Sequence, residues 1–150
     1  MLKVRLLPGC QAAPTVATEG SAGLDLYSAE KVVLRSGDSE LVKTGISVQI
    51  PEGFVGLVCS RSGLAAKYGI FVLNSPGVID SDYRGEVGVL LHKTDPPEGI
   101  PKTKVLPTGT RIAQMVVVPC LALSGDAIEY TTDPLEDTVR GTGGWGSTGE

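Results

Sequence analysis

Strict alternation runs through residues 46–50, where Ile46, Val48 and Ile50 are apolar and Ser47 and Gln49 polar, the period-two signature of a half-buried strand. Pro51-Glu52-Gly53 supplies a turn and Phe54, Val55, Leu57 and Val58 begin a second strand, so this segment predicts a hairpin. Other short apolar stretches predict strands at Leu2–Leu7, Val32–Leu34, Ile70–Leu73, Glu86–His92, Arg111–Pro119 and Ala127–Tyr130. Two of the apolar runs, Val87-Gly88-Val89-Leu90-Leu91 and Met115-Val116-Val117-Val118, are continuous enough to predict burial on both faces. One short helix is expected over Gly63–Tyr68, with Ser62 as its N-cap and Gly69 as its stop. The 20 glycines and 10 prolines are spread along the chain rather than pooled, which punctuates it as in sandwiches and barrels and predicts an all-β fold. Thr94 to Gly109, rich in proline, is expected to be a long surface loop, and Ser124 to Val139 an extended arm.

Composition narrows the class. At 150 residues, 41% hydrophobic and 20% charged, the chain suits one globular domain with a real core. A net charge of −4 without a dense Lys/Arg run argues against polymeric nucleic acid as a partner. No apolar window approaches the length of a membrane span. Cys10, Cys59 and Cys120 are an odd number at wide spacing, and Cys59 and Cys120 sit in apolar runs, where a reduced thiol behaves as a small hydrophobe. These features predict a soluble intracellular protein and leave open whether it is cytoplasmic, nuclear or virus-encoded. The lone His92 has no partner at ligand spacing, which argues against zinc.

The tail, residues 140–150, reads RGTGGWGSTGE. Its five glycines cannot build a core, yet their N–H groups, the hydroxyls of Ser147 and Thr148, the charge of Arg140 and the ring of Trp145 together suit a nucleotide, phosphates plus a base. The bland alternative is a solvated linker. Four more polar islands interrupt the β pattern: AGLDLYS at 22–28, SRSGLAAKYG at 60–69, NSPGVIDSDYRGE at 74–86 and RIAQ at 111–114. In the third, Asp80 and Asp82 share a face if the backbone is extended and diverge if it turns. Asp80 follows the apolar pair Val78-Ile79 and is expected to point inward, while Arg84 offers an ion pair to Asp82. Tyr83 is either a core-rim residue or a flat wall against a sugar. Each island alone has an ordinary structural reading, Asp25 as a turn residue and Arg61-Ser62-Gly63 as a helix start.

Taken together, in this order and at this spacing, GVIDSDYRGE, SRSGLA, RIAQ and RGTGGWGSTG resemble the motifs of the trimeric dUTP diphosphatases (dUTPases), over about residues 20–150. The resemblance implies a jelly-roll-like β-barrel or sandwich subunit, a homotrimer with sites at subunit interfaces, and Mg²⁺-assisted hydrolysis of dUTP to dUMP and pyrophosphate. That reaction keeps uracil out of DNA and supplies dUMP for thymidylate synthesis. Residue by residue, it implies that Asp80 activates the attacking water and Gln114 helps to position it. Tyr83 packs on deoxyribose and excludes a 2′-hydroxyl. The hairpin of Asn74, Gly77, Val78 and Ile79 reads uracil largely through its backbone. Arg61, Ser62 and Gly63 bind the phosphates, and Asp25 contacts the metal through bound water. Arg140, Trp145, Gly146, Ser147 and Thr148 form the closing tail, with Trp145 where phenylalanine is usual for stacking on the base. Two alternatives remain at this point: dCTP deaminase, a relative on a similar fold, and a binding module that takes dUTP and then contacts a protein partner.

Overall fold

A computed structural model describes residues 1–95, 98–121 and 127–139. Eleven strands and one helix are placed among them: β1 Lys3–Leu6, β2 Thr15–Val16, β3 Leu24–Tyr27, β4 Val32–Arg35, β5 Ser39–Gln49, β6 Phe54–Cys59, α1 Ser62–Tyr68, β7 Ile70–Val72, β8 Gly77–Ile79, β9 Glu86–Lys93, β10 Thr103–Leu106 and β11 Arg111–Pro119. All pairings are antiparallel. The strands form a four-stranded sheet, β1-β5-β9-β7, a five-stranded sheet, β2-β3-β11-β6-β8, and a separate two-stranded ribbon, β10-β4. The all-β expectation holds as a β-sandwich, and no closed barrel is formed among the described residues.

The core is aliphatic. Leu26, Val32, Leu34, Val42, Ile70, Val89 and Leu91 are wholly buried and pack with Ile46, Val48, Ile112 and Met115. Burying a side chain of this size is worth roughly 1.5–3 kcal/mol, and strands with one apolar face obtain that only by stacking one sheet on another.

That stacking corrects the predicted hairpin at 46–58. Gly53 turns the chain with φ 78° and Phe54 N–H donates to Pro51 O at 3.2 Å, but β5 pairs with β1 and β9 whereas β6 pairs with β11 and β8. The turn is a corner between sheets, because both strands carry an apolar face that must meet across the core. The two apolar runs are likewise corrected. In β9 Val87, Val89 and Leu91 are buried while Gly88 is exposed and Leu90 half-buried, and in β11 Val116, Val117 and Val118 are half-buried. The proline-rich loop contains a strand, β10, whose Thr103–Leu106 pairs with β4. Residues 127–130 form no strand. Cys120 is exposed just beyond β11, its N–H donating to Gly53 O at 2.8 Å, and Cys10 and Cys59 are half-buried. No helix among the described residues is long and apolar enough to cross a membrane.

Candidate active site

The sequence-predicted residues fall into two groups whose acids, Asp25 and Asp80, lie toward opposite ends of β6, while Asn74 and Gly77 of the second group sit near the first, Gly77 pairing with Val58. The first is built where β3, β11 and α1 meet. Gln114 is the register partner of Asp25 on one side and of Cys59 on the other, so the amide and the carboxylate share a face of the sheet. A bulge between Arg111 and Ala113 inserts one extra residue opposite β3. In a regular strand, residues three apart point to opposite faces; the bulge removes that conflict and lets Arg111 and Gln114 both work on the Asp25 side.

Asp25 is the hub. Arg61 Nε lies 3.3 Å from Oδ1 and Arg111 Nη1 3.1 Å from Oδ2, and the carboxylate side chain is only 13% exposed. Arg61 Nη1 also donates to Arg111 O at 3.0 Å, so the two arginines and the acid form one unit. Gln114 Nε2 donates to Ser60 O at 3.2 Å. Ser60 Oγ in turn accepts from Val72 N–H at 2.9 Å, and Ser60 N–H donates to Ser75 Oγ at 3.3 Å. Gly23 lies close beside this network: a Cβ there would stand 2.7 Å from Gln114 Oε1 and would push the amide aside.

Helix α1 begins one residue earlier than expected. Arg61 is the N-cap, with φ −93° and ψ 123°, no side-chain cap bond is made, and Ser62 is the first helical residue. A hydroxyl at that position cannot reach back to cap, which leaves Ser62 and Gly63 exposed beside the Arg61 guanidinium. Gly69, at φ 62°, closes the helix as predicted.

The second group surrounds β8. Asn74 lies against Gly77, where a Cβ would meet its Nδ2 at 3.2 Å. Val78, Ile79, Asp80 and Tyr83 line one cleft of about 170 Å³ with Glu86, Val87 and Gly88. Asp80 is exposed, not inward-pointing, because β8 ends at Ile79 and a turn follows in which Tyr83 N–H donates to Asp80 O at 3.2 Å. The extended geometry that would align Asp80 with Asp82 is therefore absent. Arg84 does not pair with Asp82; its Nη1 donates to Ser81 O at 2.7 Å and Tyr83 O at 2.8 Å. Tyr83 donates its hydroxyl to Glu86 O at 2.9 Å and lies over Gly85, where any Cβ would overlap the ring.

Asp80 and Gln114 do not meet within the chain. Ile79 pairs with Gly56 and Gln114 with Cys59, which puts Asp80 level with Val55, and Asp80 indeed borders a cleft with Phe54 and Val55. Four residues of β6 separate the two levels, about 13 Å at roughly 3.3 Å per residue, and two strand spacings add about 10 Å across.

Among the described residues no group of three or more His, Cys, Asp or Glu could hold a metal ion. Asp25 is nonetheless suited to Mg²⁺ through water, since that ion takes few protein ligands beside substrate phosphates, and each Asp25 oxygen keeps a lone pair beyond its arginine bond. Arg140, Trp145, Gly146, Ser147 and Thr148 lie outside the described residues. Arg111, Ser60 and Gly23 were not singled out from the sequence. Only the first letter of RIAQ signalled Arg111, and its reach depends on a bulge that no periodicity reveals.

Among known proteins, the deoxyuridine 5′-triphosphate nucleotidohydrolase of Mycobacterium avium is 49% identical over 147 residues, 97% of this chain and 92% of that protein. That of Cutibacterium acnes is 48% identical over 139 residues, 93% and 86%. A solved structure of a mutant dUTPase from Staphylococcus bacteriophage 80alpha with dUpNHpp superimposes with a TM-score of 0.88 at 28% identity, covering 100% of this chain and 99% of that one. A mutant dUTPase from phage phi11 of S. aureus, with a coordinated structural Mg(II) ion, gives a TM-score of 0.76 at 29% identity over 89% and 97%. With the dUTPase family model matching residues 11–149, this chain belongs to the dUTPase family.

Proposed function

We propose that the chain hydrolyses dUTP to dUMP and pyrophosphate at sites each assembled from neighbouring copies of a homotrimer. The observation that carries this reading is the split geometry: Asp25, Arg61 and Gln114 at one end of β6, and Asp80 with Tyr83 at the other. A water activated by Asp80 and positioned by Gln114 must touch both, so the two groups must sit within a few ångström of each other. One chain alone holds them far apart; two chains can bring them together.

In the completed site the hairpin at Asn74–Ile79 holds uracil through backbone groups, and Tyr83 lies against the sugar where a ribose hydroxyl would stand. Arg61, Ser62 and Gly63 take the phosphates. Little covalent help is needed for phosphoanhydride hydrolysis, so alignment and charge neutralisation account for the rate. Mg²⁺, when bound, neutralises the triphosphate, and Asp25 would hold its water shell. Asp80 takes the proton from the attacking water as the oxygen attacks the α-phosphorus, and pyrophosphate leaves. The tail at 140–150, with Arg140, Ser147 and Thr148 toward the γ-phosphate and Trp145 on the base, excludes water on closing.

Pyrophosphate release with Mg²⁺ across dUTP, dTTP, dCTP and UTP tests this reading, comparing the parent with Asp80→Asn. Release from dUTP alone, lost in the variant, is expected. Ammonia release from dCTP without pyrophosphate would replace this reading with a deaminase.

A further inference from the structure

We propose that Lys93 is a positioning residue that holds the phosphate-binding segment in place from the far end of its helix; this rests on the nucleotide reading above. Lys93 ends β9 and is wholly buried, on the face where Val87, Val89 and Leu91 form the core. An ammonium there is costly unless bonded. Among the described residues it bonds a single carbonyl: Nζ donates to Tyr68 O at 2.8 Å.

Tyr68 is the last residue of α1, and the final carbonyls of a helix have no partners within it. Gly69 N–H closes onto Ala65 O and Leu64 O. The end of β9 takes the next two carbonyls of the exit, Tyr68 O and Gly69 O: Lys93 bonds Tyr68 O, and Thr94 bonds Gly69 O through its N–H at 2.9 Å and its Oγ1 at 3.3 Å. A cation at a helix C-terminus is also favourable electrostatically. A second lysine acts on the same residue, Lys104 Nζ lying 3.8 Å from the centroid of the Tyr68 ring.

The anchor itself is fixed. Lys93 pairs with Ile70 in the sheet, its N–H donates to Asp38 O at 3.0 Å, and its carbonyl accepts from Gly37 N–H at 2.7 Å. Helix α1 needs such an anchor, because Leu64 is its one buried residue and packing alone holds it weakly. At about 1.5 Å per residue the helix is a lever roughly 10 Å long, with Tyr68 at one end and Arg61-Ser62-Gly63 at the other. Movement released at Tyr68 is therefore delivered to the groups assigned to the phosphates, while the hairpin assigned to uracil is held by its own pairing with β6 and meets that segment through the Ser60 N–H bond to Ser75 Oγ at 3.3 Å.

The test uses the full chain with Lys93→Met, which keeps the length and removes the donor, and Lys93→Arg, which restores a donor. Expected for Lys93→Met are a kcat for dUTP lowered about ten-fold, a KM raised in step with weaker binding of dUpNHpp, and unchanged binding of dUMP. Lys93→Arg should recover most of the rate. A parental kcat in a folded Lys93→Met, or equal loss of dUMP and dUpNHpp binding, overturns the proposal. Should Lys93→Met fail to fold, the surface change Thr94→Val decides: a kcat about two-fold lower or more supports the anchor, and an unchanged kcat overturns it. A parent that binds neither dUMP nor dUpNHpp would instead remove the nucleotide reading beneath it.

Discussion

If the site is shared, two inactive chains should repair each other. The perturbation is a pair of variants, Asp80→Asn and Arg61→Ala, each damaging one of the two groups that β6 keeps apart. Asp80 stands level with Val55 and Gln114 pairs with Cys59, so the groups lie about 13 Å apart along the strand and about 10 Å across it, roughly 16 Å in all. A water positioned by both needs each within about 3 Å. In a cyclic trimer each site then takes its Asp80 group from one chain and its Arg61 group from the next. Each variant alone has no intact site. When equal amounts are denatured together and refolded, an intact site forms wherever a neighbour pair has the right order, half of one times half of the other. Pyrophosphate release should therefore return to about a quarter of the parental rate per site. The assay is that release, measured on mixtures before and after co-refolding, with sedimentation to verify a trimer. A mixture that stays as inactive as its components, although trimeric, would refute the shared site.

Removing the hub charge should loosen the other end. Asp25→Asn strips two partly exposed ion pairs and leaves two neighbouring guanidiniums facing an amide, a loss of about 2–3 kcal/mol once solvent screening is allowed for; thermal unfolding should shift down by about 5 °C or more and turnover should fall, whereas an unshifted transition would show that the arginines are held by other contacts. Gly23→Ala puts a Cβ 2.7 Å from Gln114 Oε1 at a backbone conformation alanine accepts, so the fold should survive while kcat drops about ten-fold, and a parental kcat would show that Gln114 does not need its present position.

How far this site was legible follows from what kind of information each part uses. Alternation at Ile46, Val48 and Ile50 reports which side is buried, and the structure buries all three; it does not report which strand lies alongside, so the same pattern led to a hairpin where a corner between sheets exists. β10 escaped because only Leu106 of its four residues is buried, leaving a ribbon strand without a periodic signal. Asp25, Arg61 and Gln114 were identifiable as residue types in polar islands, and they do meet. Their meeting depends on the register of β3, β6 and β11, on the bulge before Ala113 and on the close approach of Gly23 to Gln114, all long-range properties of pairing. Lys93 carries the one contrary signal, a charge in the inward register of Val87, Val89 and Leu91. A pattern that breaks its own rule is informative, because a buried ammonium is tolerated only where a bond holds it, and here that bond ends the helix that carries Arg61. The separation of Asp80 from Gln114 is of a different order: it appears as a defect in one chain and becomes a requirement for a neighbour once both are asked to act on one water.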